Sequence, residues 1–169
     1  MGKDGRTGVT QMCSTSSAWL HCGMSNSTPK RLRSLPPDDI AALLREHHSP
    51  VRLASQSPNG YPLISTLWFL YEDECFWCIT QASTLMRRNL TANPRCAFEI
   101  ALTGARYKLL RGQGDATLDL ADGARVTERM IARYVSDPAG VVAQKLRAQM
   151  PTEYAIRIRP RWVRGWGRT

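Results

Sequence analysis

The chain has 169 residues, 43% of them hydrophobic and 22% charged, enough for one domain with a sizeable core and too few for two. No apolar run reaches the ~18 residues that a membrane-spanning helix requires, which sets membrane insertion aside. A net charge of +9, carried mostly by arginine, points to anionic partners, and five cysteines without a secretion signal ahead of them read as thiols of a reducing cytoplasm.

Residues 1–34 are rich in Gly, Ser, Thr and basic side chains, and their apolar patch "AWLHCGM" is too short for a core element. They read as a disordered N-terminal extension, with Met24 a second candidate start, ahead of one domain over 35–169. Pro36-Pro37-Asp38-Asp39 opens a helix, with its acids at the positive end of the dipole, and Ile40, Leu43, Leu44 and His47 recur at helical spacing. That predicts a helix over 37–47. The period then becomes two. "VRLAS" alternates, Asn59-Gly60 supplies a tight hairpin, and "YPLISTLWFLY" is a long β-branched and aromatic run. An acidic turn leads to "CFWCIT", followed later by "RCAFEIAL", "RYKLLRGQGDATLDL" and "EYAIRIRPRWV". Helices are predicted over 83–92, 122–135 and 140–149. The whole is α+β and mainly β, a six-stranded antiparallel sheet; runs apolar on both faces, such as Leu63 to Tyr71, favour curling it into a barrel.

The link from strand to helix at Thr80, Gln81, Ser83 and Thr84 carries the first functional signal. Ser83 or Thr84 caps the helix, and the first N–H groups behind the cap have no intrahelical partner. Arg87 and Arg88 follow each hydroxyl by one turn, although a cation near a helix N-terminus opposes the dipole. A bound phosphate reverses that argument, because dipole, hydroxyls and guanidiniums then face one anion. The alternative is that both arginines solvate an exposed face while Met86 and Leu90 pack inward.

In their order and spacing these segments resemble the pyridoxamine 5′-phosphate oxidase-like, flavin-binding split-barrel family over nearly all of residues 37–166. The pieces that carry the likeness are Gly60-Tyr61-Pro62 leading to Trp68-Phe69, Asn89-Leu90 followed by Asn93-Pro94-Arg95, and Arg111-Gly112 with Gly114. The resemblance implies a homodimer of six-stranded split barrels flanked by short helices, holding FMN or the deazaflavin coenzyme F-420 in a groove between subunits. It further implies that the ring lies along Ser65, Thr66, Leu67 and Trp68, with the phosphate at Thr80, Gln81, Ser83, Thr84, Arg87 and Arg88. Trp166 is the candidate for packing on the partner's ring. Met86 stands where the family commonly has a lysine, and Ile64 and Phe69 stand where the true oxidases place Arg and Lys on the ring-binding strand. Arg87 and Arg88 are therefore expected to carry the anion's charge, and oxidation of pyridoxamine phosphate itself is not expected.

Cys75 and Cys78 lie three apart on a strand, on opposite faces, and read as core thiols with no metal site. His47-His48 reads as a helix-end pair, one inward and one solvated, and Gly112 with Gly114 marks a strand bulge. Trp162 and Trp166 either seal the barrel end or meet the partner's cofactor, while Trp68 reads as core. Tyr107, Lys108, Tyr71 and His48 are acid or base candidates by type alone, so no catalytic residue is assigned. Two other readings stand beside the redox one. A split barrel that binds haem or another ligand without turnover accommodates the missing lysine. Nucleic-acid binding suits the charge and "RIRPRWVRGWGR", although the central run "YPLISTLWFLY" contains no basic residue to track a polyanion.

Overall fold

A computed structural model describes residues 33–102 and 108–167; of the extension proposed over 1–34 only Arg33 and Ser34 are described, and they form a short strand, while Tyr107 lies outside the described residues. Among the described residues eight strands form a single antiparallel sheet: β1 (Arg33–Ser34), β2 (Val51–Gln56), β3 (Pro62–Leu67), β4 (Leu70–Glu72), β5 (Cys75–Gln81), β6 (Arg95–Leu102), β7 (Lys108–Asp119) and β8 (Glu153–Gly167). Their order is β3-β2-β6-β7-β8-β5-β4, with β1 added on β8. The helices are α1 (Pro37–Glu46), α2 (Leu85–Ala92), α3 (Gly123–Tyr134) and α4 (Val141–Gln149), followed by a 3-10 turn at Met150–Thr152. All four predicted helices form, each within two residues of its expected ends. Among the described residues no helix is long and apolar enough to cross a membrane.

The sheet has two more strands than the six predicted: Arg33–Ser34 adds β1 on β8, and "YPLISTLWFLY" is not one strand. It breaks at Trp68-Phe69 into β3 and β4, which occupy the two ends of the strand order. A two-residue link thus joins the opposite edges of the sheet, and the sheet must curl for the link to reach. That is the split in the barrel. The Asn59-Gly60 hairpin forms as expected, with Gly60 at φ 87°, a left-handed angle that glycine adopts without strain.

The curled sheet encloses a core of alternating inward side chains: Val51 and Leu53, Phe76 and Cys78, Phe98 and Ile100, Leu110, and Ile156 and Ile158, closed at one end by Met86 and Leu90 of α2. Gly112 makes the central packing possible. A Cβ there would lie 2.4 Å from Phe98 Cζ and 2.4 Å from the Trp162 carbonyl oxygen, so the Phe98 ring occupies the space a side chain would take. The expected bulge is present between Gln113 and Gly114, where the partners step from Trp162 to Pro160 and leave Arg161 as the extra residue. Pro160 has no N–H to offer the ladder, which makes this a cheap place to interrupt it. On the outer face, α3 lays Val126 and Met130 over Leu70 and Ala155, with Trp68, Trp77, Ile79 and Tyr134 packed at the margin.

Candidate functional site

The end of β5 and the start of α2 form a tight turn in which Thr84 is the cap. Its hydroxyl accepts the Arg87 backbone N–H at 3.2 Å and donates to the Gln81 carbonyl at 3.0 Å. Thr84 Oγ1 also lies 2.7 Å from Thr80 Oγ1. A hydroxyl has one hydrogen, so Thr80 is the donor in that pair, and both hydroxyl hydrogens are consumed inside the turn. Thr80 and Thr84 therefore shape the turn and have no hydrogen left for an anion. The donors that remain are the N–H groups of Leu85 and Met86 in the first helical turn, where the helix supplies no carbonyl of its own, the exposed Ser83, and the two arginines.

The arginines separate. Arg87 folds back over the turn: its Nε donates to the Ala82 carbonyl at 2.6 Å, and its guanidinium lies 5.6 Å from the centre of the Tyr154 ring. Those contacts leave it half-buried and beside the helix start, with its Nη groups still able to meet an anion. Arg88 is exposed. Met86 is 2% exposed and belongs to the barrel core with Leu90. The inward packing of Met86 and Leu90, and the exposure of Arg88, are what the alternative reading of this helix described; Arg87 departs from it.

Asn89 anchors this helix. Buried between α2 and β2, its side-chain amide donates to Ser55 Oγ and Ser57 Oγ, both at 3.2 Å. Asn93 adds a bond to Gln56 at 2.9 Å. The Asn89-Leu90…Asn93-Pro94 signature is thus explained by packing: it fixes the turn to the hairpin, and Pro94 accepts the Ala116 N–H at the exit into β6.

Ser65, Thr66 and Leu67 lie on β3, which among the described residues pairs with β2 alone. One side of this strand therefore leaves peptide N–H and C=O groups without a ladder partner, which is what a planar heterocycle needs to be gripped by backbone. Thr66 points outward, while Ser65 and Leu67 pair with the buried Leu53 and Val51 and turn inward. Thr66, Leu67 and Trp68 line a groove of about 280 Å³ with Pro50 and Ile79. Ile79 immediately precedes Thr80, whose side chain turns to the other, buried face of β5. Trp68 is accordingly groove wall as well as core margin.

Trp166 is not brought to this place within one protomer. It pairs with Leu109 and Ser34 and stacks under Arg111, whose guanidinium is 4.7 Å from its ring centre. Along β8 it is twelve residues from Tyr154, the partner of Thr80, up to roughly 40 Å of extended strand. The acid and base candidates do not converge either: Lys108 is on β7, Tyr71 on β4, and the exposed His48 meets Tyr134 edge-on at 5.6 Å. Burial raises the Tyr71 phenol above its usual range. The described cysteines behave as core residues. Cys75, Cys78 and Cys96 are free and buried, Cys78 is pushed well above the thiol range by burial, and Cys96 is pushed up to about 12.

Sequence reasoning missed Ala82, Tyr154 and Tyr134. A backbone carbonyl carries no sequence signal, and the two tyrosines arrive from β8 and α3.

The family model described as pyridoxamine 5′-phosphate oxidase matches residues 36–167. A search of curated protein sequences returns no match. Among solved structures, the chain is similar to a conserved hypothetical protein from Mycobacterium tuberculosis, with a TM-score of 0.64 and 21% identity over 78% of this chain and 84% of that one. It is also similar to an F420 reductase, with a TM-score of 0.56 and 22% identity over 71% of this chain and 92% of the other. A third likeness is to HutZ, the haem-storage protein of Vibrio cholerae, with a TM-score of 0.60 and 18% identity over 76% and 94%. At these identities the likenesses establish the fold.

Proposed function

We propose that this chain, which belongs to the pyridoxamine 5′-phosphate oxidase family, is a homodimeric oxidoreductase that holds FMN with its phosphate at the Thr80–Arg88 turn and its ring along Ser65–Trp68. The observation that carries this reading is the half-buried Arg87 drawn over a capped helix start. A guanidinium placed there without an anion works against the dipole; with a phosphate it becomes the strongest donor in the turn. Ser83 and the first N–H groups of α2 complete the cradle, and Thr80, Gln81 and Thr84 hold its shape. Arg87 takes the role that Met86, buried in the core, does not perform.

The ring supplies the electron and hydride chemistry when bound. The protein's part is to bind and orient. The unpaired edge of β3 presents peptide groups to the ring, and Leu67 with Ile79 gives the groove an apolar wall that keeps water off it. A second copy completes the site by bringing Trp166 and Arg111 to the opposite side. Support for the dimer comes from the outer face of β3, β2, β6, β7 and the second half of β8, which carries Ile64 at 64% exposure and Trp162 at 39% around the small side chains Ala54, Ala97 and Ala101. Small residues let a second sheet approach closely.

The deazaflavin coenzyme F-420 is the second reading, because it needs the same phosphate cradle and planar slot, and the F420 reductase shares this fold. Absorbance of the purified protein separates the candidates: bands at about 375 and about 450 nm for FMN, one at about 420 nm for the deazaflavin, and a Soret band for haem. Titration with FMN then tests the turn. Arg87→Ala is expected to weaken binding about tenfold or more, the range for a charged hydrogen bond, and Arg88→Ala by about threefold or less. Unchanged affinity in the double variant removes the phosphate from this turn.

A further inference from the structure

Trp68 and Phe69 join the sheet's two edges, and neither belongs to a ladder: the β2–β3 register ends at Leu67 and the β4–β5 register begins at Leu70. Phe69 is fully buried, so its backbone N–H and C=O need partners other than water. One side chain supplies both. The Tyr134 hydroxyl donates to the Phe69 carbonyl at 2.9 Å and accepts the Phe69 N–H at 3.4 Å. The Tyr134 ring also stacks on Trp68, with centroids 4.9 Å apart and planes 3° from parallel. Next to it, Arg133 donates to the His47 carbonyl at 2.7 Å, pinning the last turn of α3 to the end of α1.

We propose that Tyr134 is a positioning residue for the ring-binding edge. It substitutes for the missing ladder rung at the split, and so fixes both the peptide planes that follow Leu67 and the plane of the Trp68 indole. This rests on the cofactor reading given above. Trp68 is the groove residue nearest the split and lines the groove with Thr66, Leu67 and Ile79. One indole in contact with both Tyr134 and the groove transmits the tyrosine's hold to any planar ligand there. The hydroxyl fixes two backbone groups at once, whereas the stack alone leaves the Trp68–Phe69 peptide free to rotate.

The test uses the full chain and FMN as probe. Tyr134→Phe keeps the stack and removes both hydrogen bonds; the expected result is a five- to tenfold rise in the Kd for FMN, about what the loss of one to two neutral hydrogen bonds gives. A changed visible circular dichroism of the bound flavin should accompany it. Val126→Ala loosens the same helix about two turns away from Tyr134, and should lower Tm while leaving Kd and spectrum at wild-type values. If Tyr134→Phe lowers Tm alike but binds FMN with wild-type affinity and an unaltered spectrum, the residue is only structural and the proposal falls, while the cofactor reading stands. If the wild type binds neither FMN nor coenzyme F-420, both fall together. Should Tyr134→Phe yield no soluble protein, Trp68→Phe decides the matter: a shifted spectrum and raised Kd are expected, and wild-type values for both overturn the proposal.

Discussion

The outer face of the sheet is covered over one half and bare over the other, and the two halves are built from different side chains. Over β4, β5 and the start of β8 the sheet presents Leu70, Trp77, Ile79 and Ala155, and α3 answers with Val126 and Met130. Arginines frame this seam: Arg125 and Arg157 lie 5.0 and 5.4 Å from the Trp77 ring centre. Over β2 and β6 the outward positions alternate between alanines and charged or amide groups, and β7 continues the face with Arg111, Gln113 and Asp115; Arg52 is bonded to Glu99 at 2.8 Å and Arg161 to Asp115 at 2.6 Å. Among the described residues no helix lies there. A face that were simply solvated would not need alanine at Ala54, Ala97 and Ala101, since longer polar residues suit a wet strand better. The difference separates a face that stabilises the chain from one that suits joining two chains.

The largest effect that can divide the halves comes from the covered one. Met130 of α3 is fully buried against the sheet, and Met130→Ala should cost about 3 kcal/mol through lost burial and an unfilled cavity. Urea denaturation measures it. A loss well under 1 kcal/mol means that α3 is a loosely held appendage and that the two halves are alike.

The bare half should respond the other way. Ala97→Arg puts a long charged side chain among residues that line a groove of about 600 Å³, including Ala54, Arg95, Gln113 and Arg161. It should leave unfolding of the isolated protomer within about 0.5 kcal/mol, as surface changes usually do, while raising the dissociation constant of the proposed dimer at least about tenfold. Light scattering across a dilution series checks this. A variant that stays dimeric at the same concentrations places the interface elsewhere and leaves Trp166 without a route to the site.

Much of this was legible in the sequence, and what was not has a physical cause. Alternation gave the strands, the Asn59-Gly60 pair gave the hairpin, and an apolar stripe gave each helix, because each of these signals is local. The break at Trp68-Phe69 left no trace, since Trp68 is covered by α3 and Phe69 by the barrel core, and both therefore read as strand. In the candidate site the hydroxyl-rich cap could be read directly, although Thr84 and not Ser83 performs it. The separation of Arg87 from Arg88 could not, because it depends on the Ala82 carbonyl and on Tyr154 across the sheet. Tyr134 reaches Phe69 from 65 residues away, a distance over which no spacing rule operates.

The smallest effect lies on the border between the halves, where β8 begins beneath the first turn of α3. Glu153 is buried there, cross-strand from Gln81, and a Cβ on Gly123 would meet its carbonyl oxygen at 1.9 Å. Its Oε2 has no hydrogen-bond partner, and burial raises its pKa above the usual carboxyl range, a shift only partly offset by Gln81. A raised folded-state pKa means that the native chain holds this proton more tightly than the unfolded chain does. The stability it contributes is therefore complete below the unfolded carboxyl's pKa and is lost as pH rises through the folded one. Glu153→Gln keeps the shape and cannot ionise, so it should gain on the wild type as pH rises from acid toward neutral and run parallel to it above that window. Other carboxyls titrate in both proteins and cancel in the difference between the two denaturation series. Parallel curves throughout would mean that water reaches Glu153, and that the first turn of α3 does not seal the edge of the covered half.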